Sequence, residues 1–411
     1  MASWDFVAYE SLASKDRSAF SMGPFGSKIT KENYVESGVP VIRGVNLTRG
    51  AFVDDGYVFI NEEKADEIGP ANVKPGDLIF THRGTIGQVS MVTRNPKFRR
   101  YVIGSSQVKT RLDEEIAVPE FYHYWFQSSE GQRSILANAS TVGVPGIATP
   151  LTSIRNLKVP HPPLWEQTAV AAVLGALDDK IAVNERIAAT YEALLQVRFA
   201  ELGMADEPDG ARAIPLTDLI AFNPKLGKPS EEEPVYVDMA ALQTNRAGIP
   251  SWSRRVPKSG PRFMNGDTLL ARITPCLENG KTGYVDFMSD EEIGLGSTEF
   301  IVMRSRPGVP SELSYFIARD ARFRAHAIRN MAGTSGRQRV SAADASNYLV
   351  NEPDPTALGD FGQQASSAFV HMKSLEGESR TLATLRDTLL PQLMSGRLRV
   401  KDAERIVEGQ V

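Results

Sequence analysis

The sequence predicts an α+β chain: two similar globular domains separated by a pair of long antiparallel coiled-coil helices, related by a pseudo-two-fold internal repeat. Three observations carry this expectation. Short landmarks recur in the same order at a spacing of about 190 residues, far beyond the roughly 20 to 50 residues of a solenoid unit. Each copy ends in a long segment of helical character. Within each copy, short β-rich runs bounded by glycine and proline alternate with helical stretches. The expected divisions are a first domain over 1–160, a long helix over 161–203, a second domain over 204–355, a second long helix over 356–398 and a tail over 399–411.

The first copy carries Gly76-Asp77-Leu78-Ile79-Phe80, then Ile103-Gly104-Ser105-Ser106-Gln107, then Val118-Pro119 and an aromatic stretch around Tyr124. The second carries Gly266-Asp267-Thr268-Leu269-Leu270, Leu295-Gly296-Ser297-Thr298-Glu299, Val309-Pro310 and Tyr315. A Gly/Thr-containing loop follows in each, Ser140 to Gly146 and Gly333 to Gly336, and then an extended segment ending in prolines, Asn156 to Pro163 and Tyr348 to Pro355. Val39 to Ile42, Leu78 to Phe80, Val89 to Val92 and Phe300 to Val302 read as strands. Pro119 to Gln132 and Glu312 to Ile328 read as helices, the second announced by Pro310. Gly203 to Arg212, rich in Gly, Asp and Pro, is the expected linker.

From Leu164 to Leu202 there is no proline and one internal glycine, Gly175, which predicts a helix of about 38 residues and about 57 Å. Val170, Leu174, Leu177, Ile181, Asn184, Ala188, Tyr191 and Leu195 alternate in steps of four and three, the period of a coiled-coil seam, with Asn184 as a polar register-setter. The second segment, Leu358 to Leu393, offers Met372, Leu375, Leu382, Leu385, Leu389 and Leu393. Gly377 and Ser379 weaken its middle, and Pro391 should kink its last turn. Each helix could simply cover its own domain. Their matched length and equivalent placement argue instead that they pair, antiparallel, with the domains at opposite ends of a spacer.

Composition narrows the function. With 42% hydrophobic and 23% charged residues the chain is neither disordered nor collagen-like. Its single cysteine, Cys276, excludes a disulfide framework and a multi-thiolate zinc site, and fits a reduced, cytoplasmic setting. No run of 18 apolar residues occurs, and Met1 to Glu10 has no signal-like apolar stretch, so no membrane role is expected. Catalytic motifs fail one by one. Asn279-Gly280-Lys281-Thr282 resembles the end of a phosphate-binding loop, but Pro275 stands where that motif requires glycine. His82, His123, His161, His326 and His371 show no ligand spacing, so no metal site is expected, and no nucleophile elbow is present. His161-Pro162-Pro163-Leu164 and Phe222-Asn223-Pro224 do not contain the Asn-Pro-Pro-aromatic loop of amino methyltransferases, and Asp178 and Asp179 lie on the seam helix.

The net charge of -4 conceals two basic stretches. Leu78 to Leu112 contains no Asp or Glu but holds Arg83, Arg94, Lys97, Arg99, Arg100, Lys109 and Arg111. Ala240 to Gly266 likewise holds only bases: Arg246, Arg254, Arg255, Lys258 and Arg262. Arg304, Arg306, Arg319, Arg322, Arg324, Arg329, Arg337 and Arg339 follow, against Glu312 and Asp320. Arginine mixed with Gln, Ser, Thr and Asn is the chemistry that bonds phosphates and base edges. A solvated basic face is the plain alternative for one such run; two in equivalent halves point to nucleic acid.

Three segments resemble the specificity subunit of type I restriction-modification enzymes. Gly23-Pro24-Phe25-Gly26-Ser27 with Gly38-Val39-Pro40-Val41-Ile42-Arg43-Gly44-Val45-Asn46-Leu47 is similar to the start of that family's first target recognition domain. Pro163-Leu164-Trp165-Glu166-Gln167, Leu174, Leu177-Asp178-Asp179-Lys180-Ile181 and Asn184 resemble its central helix, and Leu385-Arg386-Asp387-Thr388-Leu389-Leu390-Pro391 with Ser395-Gly396 its C-terminal helix. One departure is Phe361-Gly362-Gln363-Gln364 in the place of Glu166-Gln167.

The resemblance implies a non-catalytic subunit that binds double-stranded DNA with a split target, one half per domain, and docks two modification subunits, with restriction/translocase subunits as a further partner class. It implies no cofactor on this chain, with S-adenosylmethionine, ATP and Mg on the partners, which methylate adenine and drive translocation and cleavage. A rod of about 57 Å against roughly 34–36 Å per DNA turn suits sites more than one turn apart. The expected DNA-binding residues are Arg83, Thr85, Lys97, Arg99, Arg100, Ser105, Ser106, Gln107 and Lys109, with Arg254, Arg255, Arg272, Thr298, Arg337, Gln338 and Arg339 in the second half; the lysines would meet phosphate. Helix pairing and partner docking are expected at Glu166, Gln167, Leu174, Leu177, Ile181, Asn184, Tyr191, Leu382, Leu385 and Leu389. Two other classes stay open: a DNA adenine methyltransferase or fused restriction-modification enzyme, and a coiled-coil scaffold with no DNA role.

Overall fold

A computed structural model describes residues 4–25, 28–47, 51–140, 143–256, 259–334 and 336–409. Met1, Gly26, Ser27, Lys258, Thr141 and Val142 of the first loop, Ser335 of the second and the last two tail residues lie outside the described residues. The chain divides into two compact units, Met1–Lys180 with Thr381–Val411, and Ile181–Arg380.

In the first unit, Leu78–Thr81 is central to an antiparallel sheet. Gln107–Thr110 and Val89–Met91 flank it, and Phe20–Met22 lies beyond Gln107–Thr110. A second sheet runs Val58–Ile60, Val39–Ile42, Tyr101–Ile103, Asn72–Val73, with one parallel pairing, Val39–Ile42 against Tyr101–Ile103. Val39–Ile42 and Tyr101–Ile103 are apolar on both faces, and the second sheet buries Val41, Ile42, Val102 and Ile103 completely or nearly so. Phe6–Ala8 pairs with Lys158–Pro160 and closes the unit.

The second unit uses the same plan. Asp267–Ala271 lies between Phe300–Ser305 and Thr282–Tyr284, with Ile220–Phe222 beyond, all antiparallel. Its other sheet runs Ser253–Arg254, Val235–Val237, Gly294–Gly296, Arg262–Phe263, and again the one parallel pairing is at the centre. Ala213–Pro215 pairs with Leu349–Asn351, as Phe6–Ala8 does with Lys158–Pro160.

The recurring Gly-Asp landmark is a structural joint. Gly76 and Gly266 take φ of 86° and 85°, a conformation that favours glycine. The next residue is a buried aspartate that receives a two-pronged arginine: Arg111 Nε and Nη2 donate to Asp77 at 2.8 and 2.7 Å, and Arg304 Nε and Nη2 to Asp267 at 2.6 and 2.7 Å. The same carboxylates accept the Lys74 and Met264 amides. Burial raises the Asp267 carboxyl above its ordinary value even with Arg304 opposing.

Hydrogen bonding shifts the second landmark by one residue. Gly104 N–H donates to Ile42 O and Gln107 N–H to Gly104 O; Ser297 N–H donates to Val237 O and Phe300 N–H to Ser297 O. Gly104 therefore corresponds to Ser297 rather than to Gly296, and Ser106 to Glu299. Gly296 serves packing instead, since a Cβ there would lie 2.6 Å from the Phe300 ring.

The single helices expected after each Val-Pro are broken in two. Pro119–Gln127 stops at Ser128, whose extended backbone and side chain cap Ser129–Leu136 by accepting from Gly131 N. Leu313–Arg319 stops at Asp320, which caps Ala321–Arg329 by accepting from Arg322 and Phe323 amides. Ser and Asp compete for backbone donors and so terminate a helix that apolar spacing alone would continue. The expected linker is tied down: Asn351 donates to Gly203 O and Glu207 O and accepts from Asp209 N.

The long helices run Leu164–Glu201 and Pro355–Met394, the second continuing past Pro391, and Val400–Glu408 is a further short helix. In the second unit Asn184 Nδ2 donates to Glu378 and Ser379, and Tyr191 OH meets His371 Nδ1 at 3.1 Å. Seven residues up one helix match seven down the other, so these stretches run antiparallel. In the first unit Arg386 donates to Asp178 at 2.6 Å, and Asp178 also receives the Tyr124 hydroxyl at 2.7 Å.

Candidate nucleic-acid interface

In the first unit, the ends of three strands build one groove. Leu78–Thr81 leads into His82-Arg83-Gly84-Thr85, Tyr101–Ile103 into Gly104-Ser105-Ser106, and Val39–Ile42 into Arg43-Gly44. The frame is backbone: His82 N–H donates to Ser106 O, Ile147 N–H to His82 O, Gly84 N–H to Pro145 O, and Arg83 bridges to Gly146. The groove, of about 320 Å³, is lined by Arg43, Arg83, Thr85, Ser105, Ser106 and Gln107 among others. Five of the expected DNA-binding residues thus meet in one concavity. Arg83, Thr85 and Ser105 are exposed. Gln107 is buried, its amide donating to Gly104 O and accepting from Gly44 N, which turns it toward the frame. Arg43 was not anticipated; its Nη2 donates to Gly56 O and its Nε is buried without a hydrogen bond.

The other basic residues of this unit lie apart from that groove's lining. Arg99, Arg100 and Lys109 border a more open pocket of about 480 Å³ with Lys74, Arg111, Asp16 and Asp66. Arg100 donates to Asn72, Glu62 and Asp66. Lys109 is 1% exposed and its ammonium donates to Asn72 O. Burial pulls its pKa down to about 8, with Asp77 opposing. Lys97 is exposed, its amide held by Asp54.

In the second unit the same backbone frame recurs with other side chains. Arg272 N–H donates to Glu299 O, Val340 N–H to Arg272 O, and Ile273 bridges to Arg339. His82, Ser106 and Gly146 of the first frame are thereby replaced by Arg272, Glu299 and Arg339. Arg339 Nε and Nη2 donate to Glu299 at 2.7 to 3.0 Å, and Nη1 donates to Arg337 O. That pairing holds the Glu299 carboxyl below its usual value. Gln338 exchanges hydrogen bonds with Thr274, while Thr298 and Arg337 are exposed. Arg254 lies on a different strand and Arg255 just beyond it: Arg254 pairs with Glu292 at 2.8 Å, and Arg255 stacks 3.6 Å over the Tyr236 ring. Glu299 is a functional candidate that charge counting passed over, because it falls between the two basic stretches of the second half; its correspondence with Ser106 is the signal that marks it.

The helix positions also resolve. Gln167, fully buried, accepts the Val118 N–H at 2.9 Å and donates to Pro162 O and Ile116 O. At the second helix start Gly362 replaces this by close approach, since a Cβ would lie 2.5 Å from the Pro310 ring. Glu166 accepts from Trp4 Nε1. Leu174, Leu177, Asn184, Leu382 and Leu389 are buried, and Ile181, Tyr191 and Leu385 half-buried. The Asn279–Thr282 turn sends Lys281 Nζ to Met239 O, and among the described residues no cluster of His, Cys, Asp and Glu could hold a metal.

Residues 24–193 match the type I restriction modification DNA specificity domain. The chain is 27% identical over 212 residues to the EcoEI type I restriction enzyme specificity subunit of Escherichia coli, and 26% identical over 213 residues to the EcoAI specificity subunit of the same organism. Each match covers 49% of this chain and 35% of the relative. The chain's fold is similar to that of a type I restriction-modification S subunit from M. genitalium, with a TM-score of 0.56 at 17% identity over 95% of this chain and 96% of that one. No helix among the described residues is long and apolar enough to cross a membrane.

Proposed function

We propose that this chain is the DNA sequence-specificity subunit of a type I restriction-modification system, and that it reads a split duplex target with one half contacted by each unit. The observation that carries this is the repeated hydrogen-bonded frame around His82 and Arg272: one scaffold built twice, presenting His, Ser and Gly in one unit and Arg, Glu and Arg in the other. A shared frame with different side chains suits a reader of two different half-sites. The chain carries one plan twice as a pseudo-two-fold internal repeat, and the long helices act as a coiled-coil spacer that sets half-site separation and docks two modification subunits, with restriction subunits joining where the system has them. The chain performs no catalysis, and S-adenosylmethionine, ATP and Mg belong to those partners in the cytoplasm.

Replacing Met1 to Pro160 by the matching part of a relative, in cells that hold the modification partner, should change one half of the adenine-methylation motif and leave the other. A methylome in which both halves changed, or neither did, would sink the two-reader assignment. S-adenosylmethionine binding by the chain alone would favour a methyltransferase. Absence of salt-sensitive duplex binding by the assembled complex would favour a scaffold.

A further inference from the structure

Both frames place one residue just after the central strand with its backbone held on both sides, and the two side chains behave oppositely. His82 turns inward, its Nε2 3.2 Å from Ser105 O, and burial holds the imidazole below its usual pKa. Arg272 makes no side-chain hydrogen bond among the described residues; its Nε is buried, while its two Nη groups are not enclosed. Arg339 beside it is committed, with Nε and Nη2 on Glu299 and Nη1 on Arg337 O. Of the Arg272 and Arg339 guanidiniums, that of Arg272 makes no hydrogen bond among the described residues and meets Glu299 through charge alone, so it stays available to a ligand; the Arg337 side chain beside it is also exposed.

We propose that Arg272 reads a guanine in the half of the target contacted by the second unit, end-on through Nη1 and Nη2, and that Glu299 is a positioning residue that holds Arg339 and the frame around Arg272. This rests on the reading of the chain as a DNA-specificity subunit. Guanine presents two acceptors, O6 and N7, on its major-groove edge, and a planar pair of N–H donors matches them. With Nε turned into the protein, the Nη pair is the one fork Arg272 can offer. Its backbone is fixed by Glu299 O and Val340 N, and the burial of Nε narrows where the fork can point, so less freedom is lost on binding than for a fully exposed arginine. The first unit has no counterpart, because His82 is turned inward and neutral; its half-site is read by other groups.

The test uses the full chain assembled with its modification subunit, with selection from duplexes randomised in both half-sites. The parent complex should enrich a split motif with guanine, on either strand, in one half. Arg272→Lys and Arg272→Gln should reduce the preference for that guanine about 5- to 150-fold while the other half and the spacer length persist, which also shows that the chain is folded. Glu299→Gln, which keeps an acceptor for Arg339, should weaken the same preference less. Retention of the guanine preference in Arg272→Gln would mean that Arg272 does not read that base and would overturn the assignment, as would a parent motif whose halves both lack guanine on either strand. A parent complex that enriches no motif would instead overturn the specificity reading itself.

Discussion

Replacing Arg304 by methionine removes the fork from the buried Asp267 carboxylate and leaves a charge with one remaining donor, the Met264 amide. Removing one partner of a buried ion pair costs about 3–5 kcal/mol. Arg304 is 26% exposed, so water reaches one side of the pair and a cost of about 2–3 kcal/mol applies. For a unit of this size that lowers the melting temperature by about 4–12 °C. Burial already raises the Asp267 carboxyl, and loss of Arg304 raises it further. A carboxyl raised in the folded state contributes stability that is fully present below its unfolded pKa and is lost as pH rises through the folded one. The deficit of Arg304→Met is therefore largest at neutral pH and shrinks as the solution is acidified toward the ordinary carboxylate range. Asp267→Asn should cost less than Arg304→Met, because the amide keeps an acceptor for Met264 and Arg304 can turn to solvent. Thermal melts of the full chain across pH 4 to 7, roughly the window of that titration, measure all three effects. An Arg304→Met protein melting within about 1 °C of the parent at pH 7, or one whose deficit grows on acidification, would refute the reasoning.

Gln167→Ala leaves the Val118 amide and the Pro162 and Ile116 carbonyls without their shared side chain, and should destabilise the first unit by about 2–4 kcal/mol in urea unfolding. Asn184→Leu removes a buried amide whose Oδ1 has no hydrogen bond, so stability should change by less than about 1 kcal/mol. Half-site identity should persist in the Asn184→Leu methylome while the spacer length broadens or assembly with the modification subunit weakens, since a polar seam residue specifies register.

Much of the chain was legible because its signals are local. The seam spacing from Val170 to Leu195 anticipated the first long helix to within a residue, since apolar periodicity and the absence of proline are properties of the segment itself. The helices after Val118 and Val309 were read too long, because whether Ser128 and Asp320 cap or continue depends on which backbone donors they meet. The candidate site was legible as composition and not as geometry. Runs without acids located the basic faces, yet could not tell Arg83, which lines an open groove, from Lys109, which is enclosed, or from Arg100, which is held by two carboxylates and an asparagine amide.

The sequence by itself determined that a plan of strands, Val-Pro starts and long helices is written twice, because order and spacing along a chain survive divergence of the residues between them. Only the tertiary structure decided what the repeated residues do. It made Asp77 and Asp267 buried joints rather than surface acids, shifted Gly104 into register with Ser297, and left Arg272 without a side-chain hydrogen bond among the described residues while tying Arg339 to Glu299. The physical reason is that an arginine's role depends on whether a carboxylate distant in sequence lies within hydrogen-bond reach, and only the folded chain brings the two together.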